Sequence, residues 1–245
     1  MRHEDRFGPD VKIEDDVTIG EYTIIHPGTR IGRGSRIGAF CELGVVTDSA
    51  TQKGLRIGPN ALIRSHSVFY EGSTFGPNLR TGHRVTVREN TIAGDTLQIG
   101  TLSDIQGHCK IGDHVRLHSN VHIGQAATIG DFVFIFPYVV LTNDAAPPSD
   151  RLEGVTIGRY AVVATMSTIL PGVTVGEGAL VGAMTLVREN VSADTICVGV
   201  PGKMIGATSR ITLKHNGQPA YPWRRHFHRG YPESMVAEWK REFAE

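Results

Sequence analysis

Aliphatic residues return every six positions through the middle of this chain, at Ile99, Ile105, Ile111, Leu117, Ile123, Ile129, Ile135 and Leu141. Neither a helix nor a simple strand repeats with that period. The pattern has three blocks. The first runs in one frame through Ile13, Ile19, Ile25, Ile31, Ile37 and Leu43, and the second holds from Ile57 to Leu141, fifteen positions of which only Thr81 is not apolar. The third passes through Ile157, Val163, Ile169, Val175, Val181 and Val187. The steps from Leu43 to Ile57 and from Leu141 to Ile157 are not multiples of six, so segments 44–56 and 142–156 are expected to leave the array as loops.

The first and fifth residues of a hexad lie two apart along a strand from one coil side to the next and share the inward face. Position two is Gly in eight of the fifteen central hexads, which is expected to ease the bend between sides. Each hexad makes one side and three sides make one coil, so the three blocks together make nine stacked coils. The prediction is an all-β chain with a parallel β-helix of hexapeptide repeats over 1–206, loops at 44–56 and 142–156, and an extension at 207–245. In that extension Met235, Val236, Trp239 and Phe243 form the apolar stripe of a helix that packs as a cap.

Composition changes this picture little. Lys plus Arg equals Asp plus Glu at 25 each, so no bulk field favours nucleic acid or anionic lipid. Neither a signal peptide in residues 1–30 nor a membrane span is expected, and the chain is read as cytoplasmic. Cys41 and Cys109 occupy fifth positions and are expected to pack as buried thiols, while Cys197 follows the array. No CxxC spacing points to a disulfide framework or a zinc site.

A coil of three hexads places polar side chains in columns. Gly82, Gly100, His118 and Phe136 share a corner, with His83, Arg84, Ser119 and Tyr138 close to it. Arg88, Gln106, Gly124 and Thr142 share the next, which aligns Glu89, Gln125 and Asn143, with Asn90, His108 and Asp144 beside them. Two polar corners thus adjoin one flat face. His118 is the candidate to accept a proton, Asn143 and Asp144 to orient a substrate, and Arg84 and Arg88 to fork onto a diphosphate. Each has a plainer reading: a corner hydrogen bond, an Asx turn at the loop, or solvated charge. His122, one coil after Asp104, reads as a surface or interface pair.

The repeats resemble those of the left-handed β-helix acyltransferases. The stretches TGHRVTVREN, IGTLSDIQGHCKIGDHVRLHSNVHIGQ, IFPYVVLTND and YPWRRHF resemble, more narrowly, the sugar N-acetyltransferases that act on a dTDP-linked 3-amino-3,6-dideoxyhexose. The resemblance implies a homotrimer with active sites between subunits, acetyl-CoA as co-substrate, and acetylation of the 3-amino group in nucleotide-sugar synthesis for surface glycans such as lipopolysaccharide or S-layer glycan. It implies catalytic roles for His118 and Asn143. Gln125, Asp144, His83, Arg84, Arg88, Glu89 and Tyr138 would meet the dTDP-sugar, and Lys203, Ala164 and Ala183 the CoA. Gly199, Val200, Pro201, Gly202 and Lys203 depart from the G-N-P-A-K often present in that group.

Other readings are transfer to a 4-amino group or a hydroxyl, a non-catalytic scaffold, and a γ-type carbonic anhydrase using His83, His118 and His122. The resembled zinc enzymes separate the later pair by four residues, whereas three intervene here, and one residue changes the facing of a strand side chain. No metal is therefore expected.

Overall fold

The computed structural model describes residues 7–243; residues 1–6 of the predicted array and 244–245 of the predicted extension lie outside them. Each hexad forms one short strand, from β1 (Lys12–Ile13) to β27 (Leu186–Val187), and successive strands fall in turn on three parallel sheets. Within a block, partners are three hexads apart, as in Arg116 opposite Phe134 and Leu117 opposite Ile135. The stacking survives both predicted loops, since Ile31 pairs with Ile57 and Ile129 with Ile157. The amide of His118 donates to the Ile135 carbonyl at 2.8 Å and that of His122 to the Val139 carbonyl at 2.9 Å. Each coil thereby satisfies the polar backbone of its neighbour.

The interior is filled from positions one and five. Ile99, Ile105, Cys109, Val115, Val121 and Ile123 are all 2% exposed or less. Buried hydroxyls at position five also secure the corners. Ser103 Oγ donates to the His118 carbonyl of the next coil at 2.8 Å and accepts from the Val121 amide at 3.2 Å. Ser167 repeats this with Gly182 and Thr185. Cys109 is a buried thiol, and burial pushes its pKa up to about 11.

Two expectations need correction. The sharp bend is not made at the second-position glycine. The left-handed backbone region belongs to the fourth residue, as at Asn78 (φ 62°), Leu102 (60°), Asn120 (58°) and Tyr138 (62°). Where position two is glycine, the coils approach too closely for a side chain: a Cβ on Gly58 would lie 2.6 Å from the carbonyl carbon of Gly76. The array also outlasts the hexad frame. Phe7, still in frame, bridges Ile25; at the other end Val191 bridges Val175 and β28 (Thr195–Val198) pairs with β26 (Leu180–Val181), so Cys197 lies opposite Val181 and is buried. The offset there falls short of three full hexads, which ends the sixfold pattern without ending the stack. β29 (Lys203–Ala207) then folds back antiparallel onto β28.

The extension docks on its own chain. Trp223, Tyr231 and Trp239 join Phe132, Phe134, Tyr160 and Val162 in a second buried cluster, against which Met235 and Val236 pack. Helix α1 (Glu233–Glu242) supplies Trp239. Trp223 Nε1 donates to the Tyr160 carbonyl at 3.0 Å, and Arg224 pairs with Glu242 while lying 4.4 Å over the Tyr160 ring. Phe243 lies under the Arg225 guanidinium at 4.4 Å. The YPWRRHF stretch is therefore an anchor of the extension. Among the described residues no helix is long and apolar enough to cross a membrane.

Gly58→Ala is expected to lower the unfolding free energy by about 1–3 kcal/mol, because the new methyl meets backbone of the next coil. Leu102→Gly, at a left-handed position, should change it by under about 1 kcal/mol, since relief of backbone strain offsets added freedom in the unfolded chain. Chemical denaturation of the two variants beside the parent protein checks both.

Candidate active site

The corner that follows the second sheet carries His118, just after β17 (Arg116–Leu117). Its ring stacks on Phe136 of the next coil, with centroids 4.7 Å apart and planes 14° from parallel. Partial burial and then the Arg116 charge hold the His118 imidazole below its ordinary pKa, so it is neutral at pH 7. Neither of its ring nitrogens has a hydrogen bond among the described residues. The predicted column is present: the amide of Gly100 donates to the Leu117 carbonyl, and that of Tyr138 to the Ser119 carbonyl.

His118 and Ser119 open onto a groove of about 560 Å³ on the outward face of this sheet. Its floor is a column from β11 (Arg80–Thr81), β14 (Gln98–Ile99) and β17, and Phe227 and Arg229 of the extension form one wall. The expected substrate residues His83 and Arg84 lie outside this groove, in an adjoining depression with Ser65 and Leu102, where His83 Nδ1 is 2.8 Å from Ser65 Oγ. Tyr138 is exposed at the same edge. Ala164 and Gly182 continue the corner beyond Phe136, with Ala183 next to it, and Lys203 is exposed on β29.

The second polar corner lies at the other end of β18 (His122–Ile123). Gln125 and Asn143 stand on adjacent coils there, half-buried, and their side-chain amides make no hydrogen bond among the described residues. Their neighbours are more engaged. Arg88 directs Nε and Nη2 at the two carboxylate oxygens of Glu89, each at 3.1 Å, and Glu89 is 3% exposed. Asp144 accepts from the Ala146 amide at 3.0 Å and from the amide and hydroxyl of Ser149, both at 2.8 Å. Those bonds, led by the Ser149 hydroxyl, hold its carboxyl below the usual range. Asp144 thus shapes its own loop.

Loop 44–56 is clamped to this corner. Glu71, 6% exposed, accepts from the amides of Thr47 and Gly54 at 3.0 and 3.4 Å. Asn90 Oδ1 accepts from the Thr51 amide at 2.8 Å and its hydroxyl at 2.9 Å, and Asn90 Nδ2 donates to the Ser49 carbonyl at 2.8 Å.

Between the corners, His122 Nδ1 is 3.1 Å from Asp104, which also accepts from Gln106. Burial opposes ionisation of Asp104, but the hydrogen bonds from His122 and Gln106 and the charges of His122 and Arg88 hold its carboxyl below the usual range. Among the described residues no three His, Cys, Asp or Glu side chains converge as metal ligands: His83 faces Ser65, His118 faces Phe136 and His122 faces Asp104.

His118 and Asn143 therefore occupy opposite edges of one face, and a single chain does not bring them together. The groove arginines were not singled out from sequence, although Arg80, Gln98 and Arg116 recur at one coil's spacing. Phe227 and Arg229 had no such signal, because their place depends on how the extension docks.

Residues 10–44 match the family described as bacterial transferase hexapeptide (six repeats). The bifunctional protein GlmU of Trichormus variabilis is 31% identical over 168 residues, covering 59% of this chain and 37% of that protein. GlmU of Exiguobacterium is 32% identical over 178 residues, covering 64% of this chain and 37% of that protein. The chain thus spans little more than a third of the length of these curated relatives. LpxA from Acinetobacter baumannii has a similar fold, with a TM-score of 0.51, 20% identity, and coverage of 96% of this chain and 79% of that one. The solenoid architecture is thus shared with that structure along almost the whole of this chain.

Asn90→Ala removes every side-chain tie between Asn90 and loop 44–56. Limited proteolysis should then cut within 46–54 at least about tenfold faster than in the parent, with the array intact, and an unchanged digestion rate would show that Glu71 alone holds the loop.

Proposed function

We propose that this chain is an acetyl-CoA-dependent N-acetyltransferase acting on the 3-amino group of a dTDP-linked 3-amino-3,6-dideoxyhexose, a cytoplasmic step in making surface glycans. The observation that carries the reading is the placement of His118: a neutral imidazole with unengaged ring nitrogens, on a corner that opens to a groove and continues as Phe136, Ala164 and Gly182. The transferase family match at residues 10–44 and the resemblance of the central stretches support the reaction class.

In this reading the pantetheine arm of CoA lies along that corner. Ala164 and Ala183 leave room for it, and Lys203 meets a CoA phosphate. The sugar's neutral amine attacks the thioester carbonyl, forming the C–N bond. Collapse of the tetrahedral species breaks the C–S bond, and CoA leaves as thiolate. The ammonium proton passes to His118 or, through water, to the departing thiolate. Asn143 and Gln125, with unengaged amides, supply donors for the oxyanion and the sugar hydroxyls. Since these lie across a face from His118, the complete site forms between copies of the chain, and a homotrimer is the proposed assembly. Tyr138, Glu89, Asp144, His83, Arg84 and Arg88 are assigned to the sugar-nucleotide side. For Arg88, Glu89 and Asp144 the role is indirect, since all three are engaged within the chain.

Thiol release from acetyl-CoA, with product mass, against a panel of dTDP-linked 3-amino and 4-amino dideoxyhexoses tests the reading. One added acetyl group on a 3-amino sugar is expected, and absence of release with every amine would refute it. His118→Ala should reduce kcat less than about a hundredfold, because the thiolate can take the proton. Near-complete loss, with the melting temperature kept, would point instead to an obligatory base and to a hydroxyl acceptor.

A further inference from the structure

We propose that the groove between the second sheet and the C-terminal extension is a diphosphate site, with Arg80, Arg116 and Arg229 as its ligands and Arg64 at its edge. All four arginines line the groove, and among the described residues no carboxylate does. Four guanidinium groups outside the groove do face carboxylates, Arg88 with Glu89, Arg151 with Glu153, Arg159 with Asp131 and Arg224 with Glu242; what sets the groove apart is that several arginines converge on one concavity. None of the four groove arginines has a carboxylate partner among the described residues. Like charges gathered without counter-charge raise the energy of the empty site and lower that of one holding a dianion. A guanidinium fork matches phosphate oxygens in a way that one ammonium cannot.

The groove is also built rather than loose. The Arg116 guanidinium is fixed 4.5 Å from the Tyr231 ring and 5.3 Å from those of Phe134 and Phe227, and its Nη2 donates to the Arg229 carbonyl at 2.8 Å. It loses little conformational entropy on meeting an anion. Phe134, Phe136 and Phe227 add flat apolar surface suited to a base or sugar ring, and the volume of about 560 Å³ falls in the range of small-molecule sites. His118 lines the same groove, so a ligand anchored on the arginines reaches the proposed proton acceptor within one chain. This replaces Arg84 and Arg88 as the main diphosphate ligands.

The identity of the ligand rests on the acetyltransferase reading; the anion site does not. Both a nucleotide sugar and CoA carry a diphosphate, and the test separates them. Calorimetric titration at about 50 mM salt, where screening is modest, would use pyrophosphate, dTDP and CoA. The proteins are the full chain, Arg80→Gln, Arg229→Gln and Arg56→Gln, the last on a different sheet, with folding verified by thermal melting. Pyrophosphate should bind the parent and Arg56→Gln equally and lose about tenfold in affinity in each groove variant. A parallel loss for dTDP assigns the groove to the nucleotide sugar, and a parallel loss for CoA assigns it to the acyl donor. Absence of pyrophosphate binding, or equal affinity in all four proteins, overturns the proposal. Arginine-dependent pyrophosphate binding without acyl transfer to any sugar would leave the groove standing and refute the reaction.

Discussion

The constraint on which this molecule depends is the amide-to-carbonyl ladder between coils. In each hexad the backbone donates across to the coil above, as from His118 to Ile135 and from Gly100 to Leu117, and the ladder persists through both inserted loops. Once that register is set, residue identity at each of the six positions has one task. Positions one and five fill the core, the glycines at position two let backbone pass close by, and position four must tolerate a left-handed conformation. Positions three and six, the side chain at position four, and position two wherever it is not glycine, as at His118, are free to carry chemistry. A solenoid separates fold from function in this way because each coil contacts only its neighbours.

Much of this was legible in the sequence, because a sixfold period is a direct image of the ladder. Every regular strand from Lys12–Ile13 to Leu186–Val187 falls where the aliphatic residues predict it, and His118 stacks on Phe136 as the three-hexad column requires. What was not legible has physical causes. Glycine at position two carries the same sequence signal whether it relieves strain or makes room, and only the approach of Gly58 to Gly76 tells the two apart. The last coil was hidden because it is shorter than the others, so Cys197 looked as if it followed the core that it completes. Arg88 and Asp144 looked available because sequence does not show whether a charged group is already paired. The approach of Phe227 and Arg229 to the array rests on the aromatic cluster around Trp223, which has no periodicity to read.

The geometry of the polar residues follows from the same stacking. A corner side chain repeats its position along the prism axis but is separated from the next corner by the whole width of a strand and its turn. His118 and Asn143 thus lie on successive coils yet on opposite edges of a face. One chain can build a groove along an edge or beside its docked extension. Joining two edges requires a second surface, which is why the proposed reaction is assigned to a site between copies and the proposed anion site to one chain.

Net charge conceals the last consequence. Cationic and anionic side chains balance at 25 each, which by itself argues against any strongly charged surface. Stacking, however, turns a preference at one hexad position into a stripe. On the corner before the second sheet, Asp113 accepts from the amide of Asp95 at 2.7 Å and Asp131 from that of Asp113 at 2.9 Å, an acidic line held by the backbone. On the sheet that follows, Arg80 and Arg116 stand in one column with Gln98 between them and Arg229 facing them from the extension. The acids are tied down by hydrogen bonds at the turns, whereas the arginines line a groove without a carboxylate among the described residues. A chain neutral in sum therefore presents a locally cationic groove beside its neutral histidine, and the repeat makes that separation from substitutions at two positions of the hexad.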